Sequence, residues 1–282
     1  MKTVTTVGQL REHITQWKQQ GHTIGFVPTM GNLHAGHLAL VDRAKQQADK
    51  VVASIFVNPA QFGANEDFDT YPRTLDDDIN ALHQHAVDLL FTPTIETMYG
   101  DVDDSTLVSV PALNHILCGV SRPVFFDGIA TVVSKLFNLV QPDVAVFGQK
   151  DYQQLLVIRT MVRDLAFPVE IIGHETQRES DGLAMSSRNG YLSKEERLRA
   201  PEIHAALKQL VETMVSDRKN LEKYKKQAIE QLAGKDIQVE YVEIMRQSDL
   251  KIPEVGDKSL IVLIAAKLGT TRLIDNLLFE LE

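Results

Sequence analysis

Two histidines, His34 and His37, stand three residues apart where a predicted strand passes into a predicted helix. The apolar residues 23–27 precede them, and residues 38–48 follow with apolar side chains at helical spacing. Residues three apart share one face of a helix, so both imidazoles can point the same way. A helix start favours phosphate, because its backbone N–H groups are unpaired and its dipole end is positive. We therefore predict a phosphate site; the alternative is a tight turn whose histidines only cap the helix.

Two more polar segments also follow predicted strands. Residues 58–63 come after the apolar segment 51–57, and residues 148–154 come after the apolar segment 143–147. Parallel sheets bind ligands beyond the carboxyl ends of their strands, and these ends share one edge of the sheet. We therefore expect both segments to lie at the same edge as the histidine turn.

The side chains of these two segments differ in chemistry. Lys150 is a cation at a predicted helix start, where the dipole disfavours it unless an anion binds nearby; the alternative is a solvated lysine paired with Asp151. Asn58, Gln61 and Gln154 are neutral amides, which suit hydroxyl and carboxylate groups better than a triphosphate. Alternatively, Asn58 only forms a turn together with the following proline, and the glutamines are ordinary exposed residues.

Several other places hold candidate groups. Tyr71 lies in a polar loop and can close one wall of a pocket, or simply pack at the surface. Residues 185–189 contain two serines and an arginine, which bind phosphate oxygens well, although an ordinary polar linker has the same composition. The aspartates at 76–78 are either magnesium ligands or, as we favour, helix-capping groups beside Thr74. Cys118 is expected to be a small buried residue.

Strands and helices alternate between residues 23 and 172, and the strands are apolar on both faces, which predicts a parallel sheet covered by helices. The predicted strands are 23–27, 51–57, 87–91, 106–110, 143–147 and 168–172; the predicted helices are 7–20, 38–48, 74–85, 129–140 and 151–166. After residue 176 the order changes. Helices at 193–215 and 221–232 precede strands at 238–245, 259–267 and 271–279, which predicts a smaller α+β domain with antiparallel pairing.

The chain has 282 residues, a formal net charge of -9 and 44% apolar residues. This charge argues against nucleic-acid binding, which needs a basic face. No apolar run approaches the roughly 18 residues of a membrane span, and the first residues lack the pattern of a signal peptide. With a single cysteine no internal disulfide can form. We therefore expect a cytoplasmic protein with no nucleic-acid or membrane partner.

His34-Ala35-Gly36-His37 is similar to the His-x-Gly-His element of the nucleotidyltransferase and class I aminoacyl-tRNA synthetase superfamily. Residues 185–188 resemble its second element, with the first lysine absent. More narrowly, six segments resemble the pantothenate synthetase (pantoate–β-alanine ligase) family: residues 28–37, 57–63, 71–74, 148–154, 181–191 and 268–276. The resemblance covers essentially the whole chain, and the joint occurrence of these segments is highly specific.

The resemblance implies an ATP-dependent ligase that joins (R)-pantoate to β-alanine through a pantoyl adenylate, releasing AMP and pyrophosphate, with Mg²⁺ as cofactor. It also implies a Rossmann-like domain at residues 1–176 that binds nucleotide and pantoate, a smaller α+β lid domain at residues 177–282, and a cytoplasmic homodimer. His37 is implied as the proton donor, and we add His34 and Lys150 as further catalytic residues because they can stabilise charge on the phosphates. The metal ligands are not predicted.

The resemblance further implies a set of binding residues. Those for ATP are Met30, Gly31, Asn32, Leu33, His34, Ala35, Gly36, His37, Gly148, Gln149, Lys150, Asp151, Gln177, Met185, Ser186, Ser187 and Arg188. Gln61 and Gln154 are implied to bind pantoate, with Gln61 also near β-alanine. We add Asn58 to the pantoate set and Tyr71 to the β-alanine set, because both lie in the matching segments.

Three positions depart from the usual pattern of the family. Gln149 stands where Glu is frequent, so a carboxylate is not essential there if the function holds. Phe125 stands where His is frequent, which puts a polar role at that position in doubt. Gln177 occupies a place that is often apolar, and the contact expected there is through the backbone.

Two other functions fit the motifs. A plain nucleotidyltransferase attaches a nucleotide to a phosphorylated acceptor, and it would need more cations than Asn58, Gln61 and Gln154 provide. A nucleotide-sensing module can use the same fold without catalysis. Formation of AMP that depends on β-alanine distinguishes the ligase from both.

Overall fold

The computed structural model describes residues 1–64, 66–102, 104–216 and 220–281. The chain divides into two compact units. The first comprises Met1–Gln149 and Gln153–Glu175, and the second comprises Lys150–Tyr152 and Thr176–Glu282. The roles predicted for the two parts of the chain, nucleotide and pantoate binding for residues 1–176 and a lid for residues 177–282, stay predictions.

The first unit is built on a six-stranded sheet in which every strand pair is parallel, as predicted. The strands are β1 (Lys2–Val4), β2 (Ile24–Thr29), β3 (Lys50–Ile55), β4 (Leu89–Phe91), β5 (Val144–Gly148) and β6 (Glu170–His174). Their order in the sheet is β1-β4-β3-β2-β5-β6. The sequence does not predict β1, because three residues are too few to show a periodic pattern.

Helices of the first unit connect these strands, and several of them follow one another between β4 and β5. They are α1 (Val7–Gln19), α2 (Ala35–Lys45), α3 (Leu75–Gln84), α4 (Ile95–Met98), α5 (Pro111–Asn114), α6 (Cys118–Ser121), α7 (Phe125–Val140) and α8 (Tyr152–Asp164). The apolar faces of the helices pack on strands whose side chains are buried on both faces, as at the consecutive residues Phe26 and Val27 of β2. Cys118 is buried, as expected from the sequence.

The second unit is a small α+β structure, as predicted. Its helices are α9 (Lys194–Arg199), α10 (Glu202–Ser216) and α11 (Leu221–Ala233), and its antiparallel sheet has the order β7 (Gln238–Arg246), β8 (Ser259–Leu268), β9 (Thr271–Glu280). The apolar faces of α10 and α11 contribute Leu207, Leu210 and Leu232 to a core that includes Val262 and Ile264 of β8. One face of the sheet is therefore covered by helices.

Two predicted elements differ from the structure. Residues 106–110 form no strand, because the backbone N–H of Val108 donates to the hydroxyl of Thr131 (2.9 Å) rather than to a neighbouring strand. The helix predicted at 193–215 is two helices, α9 and α10, separated at Pro201. Proline has no N–H to donate and its ring crowds the preceding turn, so the helix breaks there.

The start of α9 agrees with the sequence. Ser193 Oγ accepts the backbone N–H of Glu196 (3.2 Å), and Glu196 Oε2 accepts the backbone N–H of Ser193 (2.8 Å), which is a capping box. Within the part of the chain that the structure describes, no helix combines the length and the apolar character needed to cross a bilayer.

Candidate active site

Three neighbouring strands of the first unit deliver polar segments to one edge of the sheet. β2 pairs in parallel with β3 on one side and with β5 on the other, so their carboxyl ends lie side by side. The histidine turn follows β2, a 3-10 turn at Pro59–Gln61 follows β3, and Gln149 follows β5. The prediction that these strand ends share one edge is confirmed.

The turn after β2 is held by a carboxylate from a different helix. Asp78 of α3 is buried, and its two oxygens accept the backbone N–H groups of Asn32 (2.9 Å) and Leu33 (2.8 Å). Gly31 and Asn32 both have positive φ, 84° and 50°, a conformation that glycine and asparagine adopt more readily than other residues. A Cβ at Gly31 would lie 3.0 Å from Asp78 Oδ2, so glycine leaves room for the clamp in addition to allowing the positive φ.

Asp78 therefore corrects the interpretation of the three aspartates as helix caps. Asp76 and Asp77 are exposed in the first turn of α3, whereas Asp78 points at the histidine turn. Thr74 occupies the N-cap position but makes no capping hydrogen bond; its hydroxyl donates to Asp78 Oδ1 (3.3 Å). The sequence could not identify this clamp, because the bonded residues are 46 positions apart.

The two imidazoles cap helix α2, which is one of the two roles that the sequence offered, while their contact with phosphate stays a prediction. His34 Nδ1 accepts the backbone N–H of Gly36 (3.1 Å), and His37 Nδ1 accepts the backbone N–H of His34 (3.3 Å), so both histidines cap α2. Their ring centroids are 4.1 Å apart. Because Nδ1 is an acceptor in each ring, the neutral imidazole carries its proton on Nε2. Each capped ring thus carries an N–H donor of the kind that binds a phosphate oxygen.

Asn58 is the centre of a buried amide network beside this turn. Its Oδ1 accepts the hydroxyl of Tyr99 (2.7 Å), and its Nδ2 donates to Gln61 Oε1 (3.1 Å) and to the carbonyl of Gly128 (3.1 Å). Gln61 Nε2 lies 3.1 Å from Met30 Sδ. A continuous chain of contacts therefore joins Tyr99, two of the three predicted pantoate amides and the first residue of the predicted ATP turn.

Tyr99 belongs to this site although the sequence did not single it out. Burial raises the pKa of Tyr99, an effect that its hydrogen bond to Asn58 opposes only in part. The hydroxyl therefore stays protonated and donates. Its ring packs on Phe56, with centroids 6.2 Å apart, and the ammonium group of Lys135 lies 4.9 Å from its ring centroid. A tyrosine just beyond a four-residue helix carries no sequence signal for this role.

Helix α7 approaches the amide network without intervening side-chain atoms. A Cβ added at Gly128 would lie 2.3 Å from the carbonyl oxygen of Ala60, which is far inside van der Waals contact. The helix backbone can reach the 3-10 turn only because residue 128 is glycine. This close approach is what allows the Gly128 carbonyl to accept from Asn58.

Tyr71 and Phe125 lie in aromatic surroundings. Tyr71 is buried, and its ring meets Phe62 edge-on with centroids 5.9 Å apart, so it is a packed residue rather than an exposed one. Phe125 lies under the guanidinium of Arg122, 3.4 Å from its ring centroid. Arg122 in turn forms a bidentate ion pair with Glu66 (2.6 and 2.5 Å). At position 125 the ring thus provides a cation–π surface in place of a polar group.

Gln154 lies on α8 next to a glutamine with a structural task. The buried Gln153 donates to the carbonyls of Leu113 (2.7 Å) and Ile116 (2.8 Å) and accepts the backbone N–H of Cys118 (3.2 Å). These three bonds use its amide to hold residues 113–118. Gln154 is half-buried one position further along the helix.

The remaining predicted ATP residues belong to the second unit. Lys150 Nζ lies 3.7 Å from Asp151 Oδ2, so the ion pair offered as an alternative is formed, although loosely. The backbone N–H of Met185 donates to the carbonyl of Gln177 (2.9 Å), and the backbone contact of Gln177 with ATP stays a prediction. Ser186 Oγ accepts the backbone N–H of Arg188 (3.3 Å) and caps the 3-10 helix Ser187–Tyr191.

The sequence profile of a family described as "Pantoate-beta-alanine ligase" matches residues 2–278. The chain belongs to the pantoate-beta-alanine ligase family. It is accordingly an enzyme, a ligase of pantothenate biosynthesis.

Curated relatives and solved structures of the family agree with this assignment. A pantothenate synthetase of Pseudomonas putida (strain W619) is 54% identical over 283 residues, covering 100% of this chain and 99% of the relative. A pantothenate synthetase of Shewanella amazonensis is 52% identical over 281 residues, covering 99% of this chain and 100% of the relative. The crystal structure of a pantothenate synthetase of Thermus thermophilus is similar at a TM-score of 0.91 and 45% identity, covering 98% of this chain and 99% of that one.

A further solved structure is that of a Francisella tularensis pantoate-beta-alanine ligase, complexed with beta-gamma ATP and beta-alanine. It is similar to this ligase at a TM-score of 0.83 and 34% identity, and it covers 99% of this chain and 97% of that one. The fold class predicted from the sequence is therefore confirmed by members of the family.

The acidic side chains in the described part of this ligase form no ready-made metal cage. Among the residues that the structure describes, no three His, Cys, Asp or Glu side chains converge as metal ligands. Asp78 is already engaged by two backbone N–H groups. Mg²⁺ commonly uses one or two carboxylates together with the phosphates of its substrate, so a site of this kind needs no such cluster, and the magnesium cofactor stays a prediction.

Proposed function

We propose that this ligase condenses (R)-pantoate with β-alanine in two steps through a pantoyl adenylate. In the first step a pantoate carboxylate oxygen attacks the α-phosphorus of ATP, and the bond from that phosphorus to the β-phosphate oxygen breaks, releasing pyrophosphate. In the second step the β-alanine amine attacks the acyl carbon, the bond to the adenylate oxygen breaks, and AMP leaves. The amine loses a proton, and the product is the amide pantothenate.

The observation that carries this proposal is the contact between Gln61 and Met30. Attack on the α-phosphorus requires the acid to lie directly beside the phosphate site, in line with the leaving group. Gln61 Nε2 is 3.1 Å from Met30 Sδ, so the amide proposed for pantoate touches the turn proposed for ATP. The neutral amides Asn58 and Gln61 suit a hydroxy acid and contrast with the cations that a phosphorylated acceptor would need.

Phosphoryl transfer of this kind depends mainly on positioning and on stabilising charge. We assign the Nε2–H groups of His34 and His37 to oxygens of ATP near the α-phosphate, with His37 as the proton donor. The charges of Lys150 and Arg188, with the hydroxyls of Ser186 and Ser187, are assigned to the developing pyrophosphate. The other residues assigned to ATP supply backbone or packing contacts: Met30, Gly31, Asn32, Leu33, Ala35, Gly36, Gly148, Gln149, Asp151, Gln177 and Met185.

The acceptor side uses the amides and one aromatic residue. Gln61, Gln154 and Asn58 are assigned to pantoate, and Gln61 and Tyr71 to β-alanine. The Francisella tularensis ligase, whose structure is named as a complex with beta-gamma ATP and beta-alanine, supports ATP and β-alanine as ligands here. Mg²⁺ is proposed to enter bound to ATP, where it neutralises phosphate charge. A cytoplasmic homodimer is proposed on the family resemblance alone.

Isotope experiments test the two-step path. With pantoate labelled with ¹⁸O in its carboxylate, the adenylate path puts one labelled oxygen into AMP, because the attacking oxygen stays on phosphorus. Exchange of labelled pyrophosphate into ATP should require pantoate and proceed without β-alanine. Label in inorganic phosphate, or exchange that requires β-alanine, would contradict the adenylate. AMP formation at the same rate with and without β-alanine would contradict the ligase reaction itself.

A further inference from the structure

A buried ion pair in the second unit organises two of the segments assigned to ATP. Asp275 of β9 is only 5% exposed. The guanidinium of Arg178 donates two hydrogen bonds to its carboxylate, from Nη1 to Oδ2 at 2.7 Å and from Nη2 to Oδ1 at 2.9 Å. Bidentate geometry of this kind fixes the relative orientation of the two groups as well as their distance.

Arg178 also fixes the backbone of the loop that ends in residues 185–188. The same guanidinium donates to the carbonyls of Gly182 (3.1 Å) and Asn276 (3.3 Å). Arg178 and Ala184 form an antiparallel bridge, and the backbone N–H of Glu179 donates to the carbonyl of Leu183 (2.8 Å). The loop is thus a small hairpin anchored on β9 immediately before Met185.

Asn276 extends the same network to Lys150. Its Nδ2 donates to the main-chain carbonyl of Lys150 (2.8 Å), and its backbone N–H donates to Asp275 Oδ1 (2.8 Å). Asn276 is buried, with 3% of its surface exposed. Two consecutive residues of β9 therefore hold the Lys150 turn through one side chain and the hairpin through the other.

Burial makes this arrangement sensitive to the loss of any member. Burial opposes ionisation of Asp275, but contacts with His204 and Arg178 outweigh it and hold the pKa of the carboxyl below its usual value. His204 Nδ1 lies 3.4 Å from Asp275 Oδ2, at the outer limit of a hydrogen bond. A buried pair of this kind is weak evidence for stability but a good means of specifying one geometry.

We propose that Asn276 is a positioning residue for adenylation, which holds the Lys150 backbone in register with the Arg178–Asp275 pair and so with residues 185–188. This inference rests on the proposed roles of Lys150 and Arg188 in binding pyrophosphate. Asn276 acts through Lys150 and is assigned no contact with a substrate. A displacement of about 1 Å in a charge that stabilises the transition state can reduce the rate by roughly 100-fold.

The test compares Asn276→Ala with a matched variant of the same sheet. Gln247→Ala also removes a side-chain amide that donates to a strand carbonyl, Leu260 O at 2.9 Å, but one that does not reach Lys150. The measurement is pantoate-dependent exchange of pyrophosphate into ATP, with KM for each substrate and the thermal midpoint of each full-length variant. We expect Asn276→Ala to lower the maximal exchange rate about tenfold or more, with the KM for pantoate within about twofold. Gln247→Ala should leave both unchanged.

A double-mutant cycle shows whether Asn276 works through Lys150. In a Lys150→Ala background the further change Asn276→Ala should have little effect, because residues that act through one another are not additive. Additive losses of exchange rate in the double mutant would overturn the proposal. So would exchange rates that fall only in proportion to the thermal midpoint in both Asn276→Ala and Gln247→Ala. Asn276→Leu has nearly the same shape, lacks the donor and adds no buried charge, so it repeats the test if the alanine variant does not fold.

The same assay separates this inference from the proposed function. If the wild-type ligase shows no pantoate-dependent exchange, the adenylate path is wrong. If the wild type exchanges and Asn276→Ala matches it, only the positioning role is wrong.

Discussion

At the scale of single residues, the direction of each hydrogen bond decides what the amide network offers a substrate. Tyr99 donates to Asn58 Oδ1, which turns Asn58 Nδ2 toward Gln61 Oε1. Gln61 is thereby held with its NH₂ group on the Met30 side. The network therefore presents a donor, which suits the hydroxyl and carboxylate oxygens of pantoate.

Removing the hydroxyl of Tyr99 should weaken the binding of the acid selectively. In Tyr99→Phe the buried Asn58 loses one partner, and a hydrogen bond of this kind contributes about 0.5–1.5 kcal/mol. We expect the KM for pantoate to rise roughly 2- to 10-fold and the KM for ATP to stay within about twofold. Steady-state kinetics with each substrate varied in turn measure this. An equal rise in both KM values would show that the network does not separate the two substrates.

Lys150 is the residue whose charge should matter most to the rate. Loss of a preorganised group that stabilises transition-state charge costs about 100- to 1000-fold, so Lys150→Ala should slow pantoate-dependent pyrophosphate exchange by at least about 100-fold. Lys208→Ala, which removes an exposed lysine of α10, is the control. If Lys150→Ala exchanged pyrophosphate at close to the wild-type rate, Lys150 would have no role in stabilising the transition state.

At the scale of elements, the histidine turn is a joint product of β2, α2 and α3. The strand delivers the turn, the two imidazoles cap α2, and α3 supplies the Asp78 clamp. Positive φ at Gly31 and Asn32 is held by the bonds to Asp78. The turn is thus preorganised before any nucleotide binds.

Asp78→Asn tests this preorganisation with almost no change in shape. An amide has one acceptor oxygen, so one of the two backbone N–H groups of the turn would lose its partner, at a cost of about 1–3 kcal/mol. We expect a higher KM for ATP, a lower maximal rate and a lower urea midpoint.

Asp77→Asn is the matched control for this change. It alters an exposed carboxylate one position earlier on the same helix. It should leave the kinetics and the urea midpoint unchanged. Similar behaviour of the two variants would argue against the clamp.

At the scale of the whole molecule, an acidic protein binds anionic substrates by local arrangement. Asp and Glu number 38 against 29 Lys and Arg, so the net field repels ATP and pantoate. Helix starts and individually placed cations such as Lys150 must supply the attraction. The buried Arg178–Asp275 pair has a different task, which is to hold segments of the second unit together.

The Asp275 pair should make stability depend on pH in a defined window. The folded pKa of Asp275 lies below the ordinary 3.8, so its contribution to the free energy of unfolding is fully present above pH 3.8 and is lost as pH falls through the lower folded pKa. Asp275→Asn should be strongly destabilised at pH 7, by about 3–5 kcal/mol, because Arg178 is left without a counter-charge. The difference from the wild type should shrink below pH 3.8.

Urea unfolding midpoints between about pH 7 and pH 3 measure this difference. Asp236→Asn, which removes an exposed pair with Arg199, should change stability by at most about 1 kcal/mol at any pH. A difference between Asp275→Asn and the wild type that stays constant below pH 3.8 would contradict the assignment.

Much of the architecture was accessible from the sequence because its signals are local. Apolar strands alternating with helices predicted the parallel sheet, and the carboxyl ends of β2, β3 and β5 predicted where the polar segments meet. The capping box from Ser193 to Glu196 lies within a single turn of helix and is seen as predicted. Residues 106–110 show the limit of such signals, because an apolar segment can pair with a side chain instead of a strand.

The sequence by itself thus determined the fold class, the family and the strand ends that carry the candidate site. Only the tertiary structure decided which side chains support that site. Asp78 reaches the histidine turn across 46 positions, Tyr99 reaches Asn58 across 41, and Asn276 reaches Lys150 across 126. Periodicity and capping are encoded within a few neighbouring residues, whereas these bonds exist only once the chain path brings distant segments together.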